Sequence, residues 1–101
     1  MKSAVFIIVQ KDQTGGTKFL HREIHSYSGD VKMKLAQLVR DRNDTPTGIE
    51  NFMVANITDY RNVPEDRGKF VPSHSPGIIP SYFVSVNAAD ETFEASIILI
   101  D

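Results

Sequence analysis

The chain has 101 residues, of which 41% are hydrophobic and 24% charged, with a net charge of −2 and no cysteine. This composition fits one folded domain over residues 1–101, and it excludes a disordered chain, a disulfide scaffold and a thiolate metal site. Residues 1–45 carry a net charge of +3 and residues 46–101 carry −5, a balance that argues against strong nucleic-acid binding.

The first predicted element is a strand over the apolar run "AVFIIV", residues 4–9. Six apolar residues suit a strand that is buried on both faces, and they are too few for a signal peptide or a membrane span. Together with the absence of cysteine, this leads us to expect a cytoplasmic protein without membrane contact.

A tight turn at Gly15 and Gly16 predicts that residues 18–27 return as a second strand beside the first. The apolar residues of this segment are also compatible with a helix, but the turn favours the strand. In a strand, alternate side chains share a face. One face then carries Phe19, His21, Glu23, His25 and Tyr27.

The clearest helix is predicted over residues 29–43, after a cap at Ser28 or Asp30. Its apolar stripe consists of Val31, Leu35, Leu38 and Val39. Further strands are predicted over 49–60, 81–90 and 91–101. The order ββαβββ predicts an α+β domain with a mainly antiparallel sheet and one amphipathic helix packed on one face.

The first and last strands are apolar on both faces, whereas one helix can cover only one face of a sheet. Several apolar side chains left in water would be costly, at about 1.5–3 kcal/mol each. We therefore expect residues 61–80 or a second copy of the chain to cover the other face, and we predict a homodimer.

Residues 61–80 form a predicted loop of unusual length. Prolines stiffen its second part, "FVPSHSPGIIPS", and apolar residues at both ends can pin it to the sheet. Its polar middle then either contacts a ligand or partner, or belongs to a lid without a partner. The candidate binding residues are this middle, two loop arginines and two residues of the second strand: Ser73, His74, Ser75, Arg61, Arg67, Tyr27 and His25.

His21 and His25 invite a metal interpretation, but their Cα atoms would lie roughly 13 Å apart on a strand. We therefore predict no metal site, and the sequence indicates no cofactor. It also contains neither a nucleophile elbow nor a glycine-rich phosphate loop, and no catalytic residue is assigned.

The predicted function is that of a small non-enzymatic binding or regulatory protein. Its partner is expected to be a protein, which includes a second copy of itself, held by the sheet face, the sheet edge or the 61–80 loop. One alternative is a single-stranded nucleic-acid-binding module that uses the aromatic face of residues 18–27. A second alternative is a small enzyme with a His/carboxylate site.

Overall fold

A five-stranded antiparallel sheet organises the chain, in the order β2-β1-β5-β4-β3. The structure is a computed structural model and describes residues 2–42, 45–61 and 80–100. The elements are β1 Lys2–Lys11, β2 Thr17–Tyr27, α1 Val31–Arg40, α2 Ile49–Ala55, β3 Thr58–Asp59, β4 Tyr82–Ala88 and β5 Glu91–Leu99. The predicted α+β class with an antiparallel sheet is confirmed.

Strand β1 lies between β2 and β5 and pairs with both along nearly its whole length. The turn to β2 depends on Asp12, whose carboxylate accepts hydrogen bonds from the backbone N–H groups of Thr14 and Gly16 at 3.0 and 2.8 Å. Gly15 has a φ of 88°, which a residue with a side chain rarely adopts. The predicted strand at residues 18–27 is therefore confirmed, and the helical alternative is wrong.

The predicted strand over residues 49–60 is wrong. Helix α2 occupies most of it, and only the two residues of β3 pair with β4. The buried side chains of Ile49 and Met53 are four residues apart, which is the spacing of a helix face. Gly48, with a φ of 84°, precedes the first helical turn. The domain consequently has two helices in the described residues, where the sequence predicts one.

Both helices pack on the same face of the sheet. Helix α1 is capped by the Asp30 carboxylate, which accepts a hydrogen bond from the Lys32 N–H at 2.9 Å. Of the two predicted caps, Ser28 and Asp30, it is therefore Asp30 that caps the helix. The core on this face contains Ala4, Phe6, Ile8, Tyr27, Val31, Leu35, Val39, Ile49, Met53, Tyr82, Val84, Val86, Phe93, Ala95 and Ile97.

The opposite face of β1 is also buried, as predicted. Ile7 and Val9 point away from the helices, and each is only 3% exposed. Whether residues 61–80 cover this face stays a prediction, because residues 62–79 lie outside the described part of the chain. None of the helices in the described part is long and apolar enough to cross a membrane.

Helix α1 offers a test of this packing. Leu35 is fully buried beneath it, whereas Met33 on the same helix is 57% exposed. We expect Leu35→Ala to lower the free energy of unfolding by about 2–5 kcal/mol through lost burial and an unfilled cavity. Met33→Ala should change it by no more than about 0.5 kcal/mol. Urea unfolding followed by circular dichroism measures both, and similar losses in the two variants would contradict this placement of the helix.

Candidate functional site

Strand β2 is the long edge of the sheet. It has eleven residues, and its outer side is not paired with any strand among the described residues. The opposite edge, β3, has only two residues. A free edge presents backbone N–H and C=O groups that another strand can use. Because β2 is also bonded to β1, alternate residues along its eleven positions direct their backbone groups to the outer side, and β2 is the longer of the two edges of the described sheet.

The two faces of β2 differ in chemistry. The face directed away from the helices carries Leu20 and Ile24, which are 44% and 65% exposed, with the exposed Arg22 between them. Their partners on β1 are the largely covered residues Val9 and Val5. On this face, the exposed fraction of the side chains therefore increases from β1 to the edge strand β2.

The helix-side face of β2 carries a row of rings. His21 and His25 are nearly parallel, at 12°, with ring centroids 5.2 Å apart and Nε2 atoms 3.0 Å apart. The facing nitrogens are closer than face-stacked rings would allow, so the two imidazoles meet edge to edge, in the geometry of an N–H···N hydrogen bond. Both rings are held in place, because Phe19 lies 6.3 Å from His21 and Phe6 lies 5.8 Å from His25, between ring centroids.

Glu23 completes this group from the position between the two histidines. Its Oε1 lies 3.4 Å from Nδ1 of His21 and 3.9 Å from Nε2 of His25. One donor atom from each of the three residues lies within 4.8 Å of the other two. The imidazole nitrogens of His21 and His25 are thus close together although the Cα atoms of residues four apart on a strand are roughly 13 Å apart, because the two side chains extend toward each other.

Burial lowers the pKa of His21, and the neighbouring His25 lowers it further, while Glu23 opposes both effects by raising it. The folded protein therefore favours the neutral form of the His21 imidazole.

One end of β2 is fixed by polar contacts. The Arg42 guanidinium lies 3.3 Å from the centroid of the Phe19 ring and donates to Oε1 of the buried Gln10 at 3.3 Å. The Gln10 amide in turn donates to Glu91 at 2.8 Å, and Lys18 forms an ion pair with the same carboxylate. The Phe19 ring is thus covered by Arg42 and is not presented as a free stacking surface.

The other end of β2 opens on a cleft of about 270 Å³. It brings together two of the predicted binding residues, Tyr27 and Arg61. Arg61 is engaged by Asp59, with Nη2–Oδ2 and Nε–Oδ1 distances of 2.7 and 2.9 Å, and its guanidinium lies 4.9 Å from the centroid of the Tyr82 ring. The hydrogen bond from Arg61 lowers the pKa of Asp59 to about 2, and burial raises the pKa of Tyr82.

The predicted binding residues are thus partly located. Tyr27 and Arg61 line the same cleft, and His25 lies on β2 beside His21. Arg67, Ser73, His74 and Ser75 lie outside the described residues. His21 and Glu23 were not among the predicted binding residues, although the pattern "HREIH" places all three donor residues on one face of a strand.

Comparisons with protein-family models, with characterised proteins and with solved structures found no match to this chain. The site is therefore interpreted from its own geometry.

The lowered pKa of His21 makes stability depend on pH. In the unfolded chain a histidine titrates near pH 6.5, so the unfolded state binds more protons than the folded state between that value and the lower folded pKa. Stability should be highest above about pH 6.5 and should fall as the pH is lowered through the folded pKa. His21→Gln should flatten this decrease between pH 7.5 and 5.5 in urea titrations. The matched control is His74→Gln, and an unchanged slope in His21→Gln would contradict the assignment.

Proposed function

We propose that this protein acts by binding a protein and not by catalysis, and that it does so by accepting a strand at the edge of β2 that no described strand pairs with. The observation that carries this proposal is the eleven-residue edge strand with two large apolar side chains exposed along it. Addition of a strand to such an edge is a common mode of recognition, in which the backbone supplies the hydrogen bonds and side-chain pairs supply the specificity.

The surroundings of β2 support docking along this edge. A depression of about 300 Å³ lies between the end of β2 and helix α1, lined by Ser26, Tyr27, Ser28, Met33, Lys34 and Gln37. The Met33 side chain is largely exposed beside it. An added strand would therefore meet the side of α1 as well as the edge of the sheet.

The partner that these features support best is a second copy of the same chain. Two β2 strands can pair antiparallel about a two-fold axis, and a register centred on Ile24 matches the side chains well. Ile24 then faces its own copy, and Glu23 faces His25 of the second chain. This register opposes no like charges, whereas registers centred on Arg22 or Glu23 place identical charges opposite each other, which destabilises a sheet.

The expected dimer is weak. Cross-strand pairs contribute about 0.2–1 kcal/mol each, and a single strand pairing buries less than the roughly 1,200 Å² of a standard stable interface. We therefore infer a dissociation constant in the micromolar range. Association this weak can be abolished by like charges placed opposite each other at the two-fold axis.

Single-stranded nucleic acid is the alternative partner, and the geometry gives it less support. Of the four rings proposed for stacking, Phe19 lies under the Arg42 guanidinium and Tyr27 is largely buried. His21 and His25 are only partly exposed and lie against the Phe19 and Phe6 rings. Base stacking needs open ring faces, so this row would have to rearrange before binding.

Two further predictions from the sequence stand beside this proposal, a small enzyme and a cytoplasmic location. A small enzyme with a His/carboxylate site would use His21, Glu23 and His25, but their arrangement does not indicate a reaction. A cytoplasmic location also stays a prediction, which the absence of cysteine supports because it fits a reducing compartment.

The decisive variant is Ile24→Lys. It places two ammonium groups opposite each other at the proposed axis, whereas in the monomer it changes an exposed side chain. We expect light scattering between about 10 and 500 µM to show concentration-dependent dimer formation in the unmodified protein. Ile24→Lys should remain monomeric over this range, and at concentrations too low for dimerisation its thermal melting curve should match that of the unmodified protein.

Phe52→Lys is the matched control, because Phe52 is exposed to a similar degree on helix α2, away from β2. It should dimerise like the unmodified protein. A monomer throughout the concentration range, or a dimer that persists in Ile24→Lys, would overturn pairing through β2.

A further inference from the structure

The row of histidines on β2 has the composition of a metal site. His21 and His25 each offer an imidazole nitrogen, and Glu23 offers a carboxylate oxygen from the position between them. Neutral imidazole and carboxylate are common ligands of Zn²⁺ and of neighbouring transition-metal ions. Three such residues at alternate positions of one strand place all their donor groups on a single face.

The distances are close to those that zinc requires. Zinc bonds to nitrogen and oxygen at about 2.0–2.2 Å, so two ligands of a tetrahedral ion lie about 3.3 Å apart. The Nε2 atoms of His21 and His25 are 3.0 Å apart, and Oε1 of Glu23 lies 3.9 Å from Nε2 of His25. Binding an ion therefore requires the two imidazoles to turn their Nε2 atoms toward one point, and requires Glu23, whose Oε1 lies 3.4 Å from Nδ1 of His21, to move toward that point.

The two imidazoles and the carboxylate of this group differ in conformational freedom, and this difference favours binding of an ion. The imidazoles are partly buried and are positioned by Phe6 and Phe19. The side chain of Glu23 is 65% exposed, so it can move to the ion without disturbing the core. Ligands held by packing lose less freedom on binding, which favours affinity.

We propose that His21, Glu23 and His25 bind one Zn²⁺ ion, with the fourth coordination position left to water. Three protein ligands and an open position are typical of zinc sites that remain accessible to a further ligand. The helix-side location separates this site from Ile24, which projects from the opposite face of the same strand.

The test is isothermal titration of the chelator-treated protein, without a histidine tag, with ZnCl₂. We expect one ion per chain. His21→Ala and His25→Ala should each weaken binding at least about tenfold, since even residues that only support metal ligands change affinity by 10- to 100-fold. Glu23→Gln should weaken it to a similar extent while leaving an exposed position sterically unchanged, so this variant does not depend on tolerance of a core substitution.

Phe52→Lys, on helix α2 away from β2, is the control and should bind zinc like the unmodified protein. Ile24→Lys should also keep zinc binding, which separates this site from strand pairing. Titration with Co²⁺ should give the intense visible absorption of a low-coordinate ion, and His21→Ala should abolish it. Absence of binding heat at about 100 µM protein, or zinc affinity unchanged by Glu23→Gln and His21→Ala, would show that the imidazoles form only a hydrogen-bonded pair.

Discussion

The pairing of β1 with two neighbours is the constraint on which the rest of this structure depends. Its residues face β2 on one side and β5 on the other, and its side chains are buried on both faces of the sheet. The chain's most apolar segment thereby occupies the most enclosed position available. A hairpin joins β1 to β2, and among the described strands β2 pairs with β1 alone, so β2 is an edge of the described sheet.

The position of β2 explains why its chemistry is unusual. Core strands place alternate residues under the helices, and in β1 these positions hold apolar groups such as Phe6 and Ile8. In β2 their cross-strand partners are Glu23 and His21. At the edge of the sheet these side chains are only partly covered, so polar groups can remain hydrated while the rings still gain contacts. The same partial cover brings titratable groups close together without the cost of full burial.

The two ends of β2 are held by different polar arrangements. At one end the buried Gln10 amide accepts from Arg42 and donates to Glu91, so both of its functional atoms are satisfied inside the domain. At the other end Arg61, paired with Asp59 beside Tyr82, lines a cleft that Tyr27 also lines. The first arrangement ties the Lys18 end of β2 to Glu91 on β5, and the second borders the opening at its Tyr27 end.

Local pattern determined much of the fold. The apolar run of β1, the turn before β2, the stripe of α1 and the terminal hairpin each depend on residues adjacent in sequence, so their chemistry could be interpreted directly. Helix α2 was missed because only two of its three buried residues, Ile49 and Met53, are apolar, the third being Glu50, and a strand hypothesis accommodates so short an apolar pattern equally well. Its α-helical form depends on packing against α1 and β4. These contacts join segments that are distant in sequence, so a local pattern does not predict them.

The candidate site shows the same division. The sequence by itself determined that Tyr27 and His25 lie on one face of a strand, and it showed the alternation that places Glu23 between two histidines. Only the tertiary structure decided that the two imidazoles touch, that Arg42 covers Phe19, and that Arg61 meets Tyr27 at a shared cleft. The physical reason is that strand spacing fixes the positions of Cα atoms, whereas the positions of long side chains follow from neighbours contributed by distant parts of the chain.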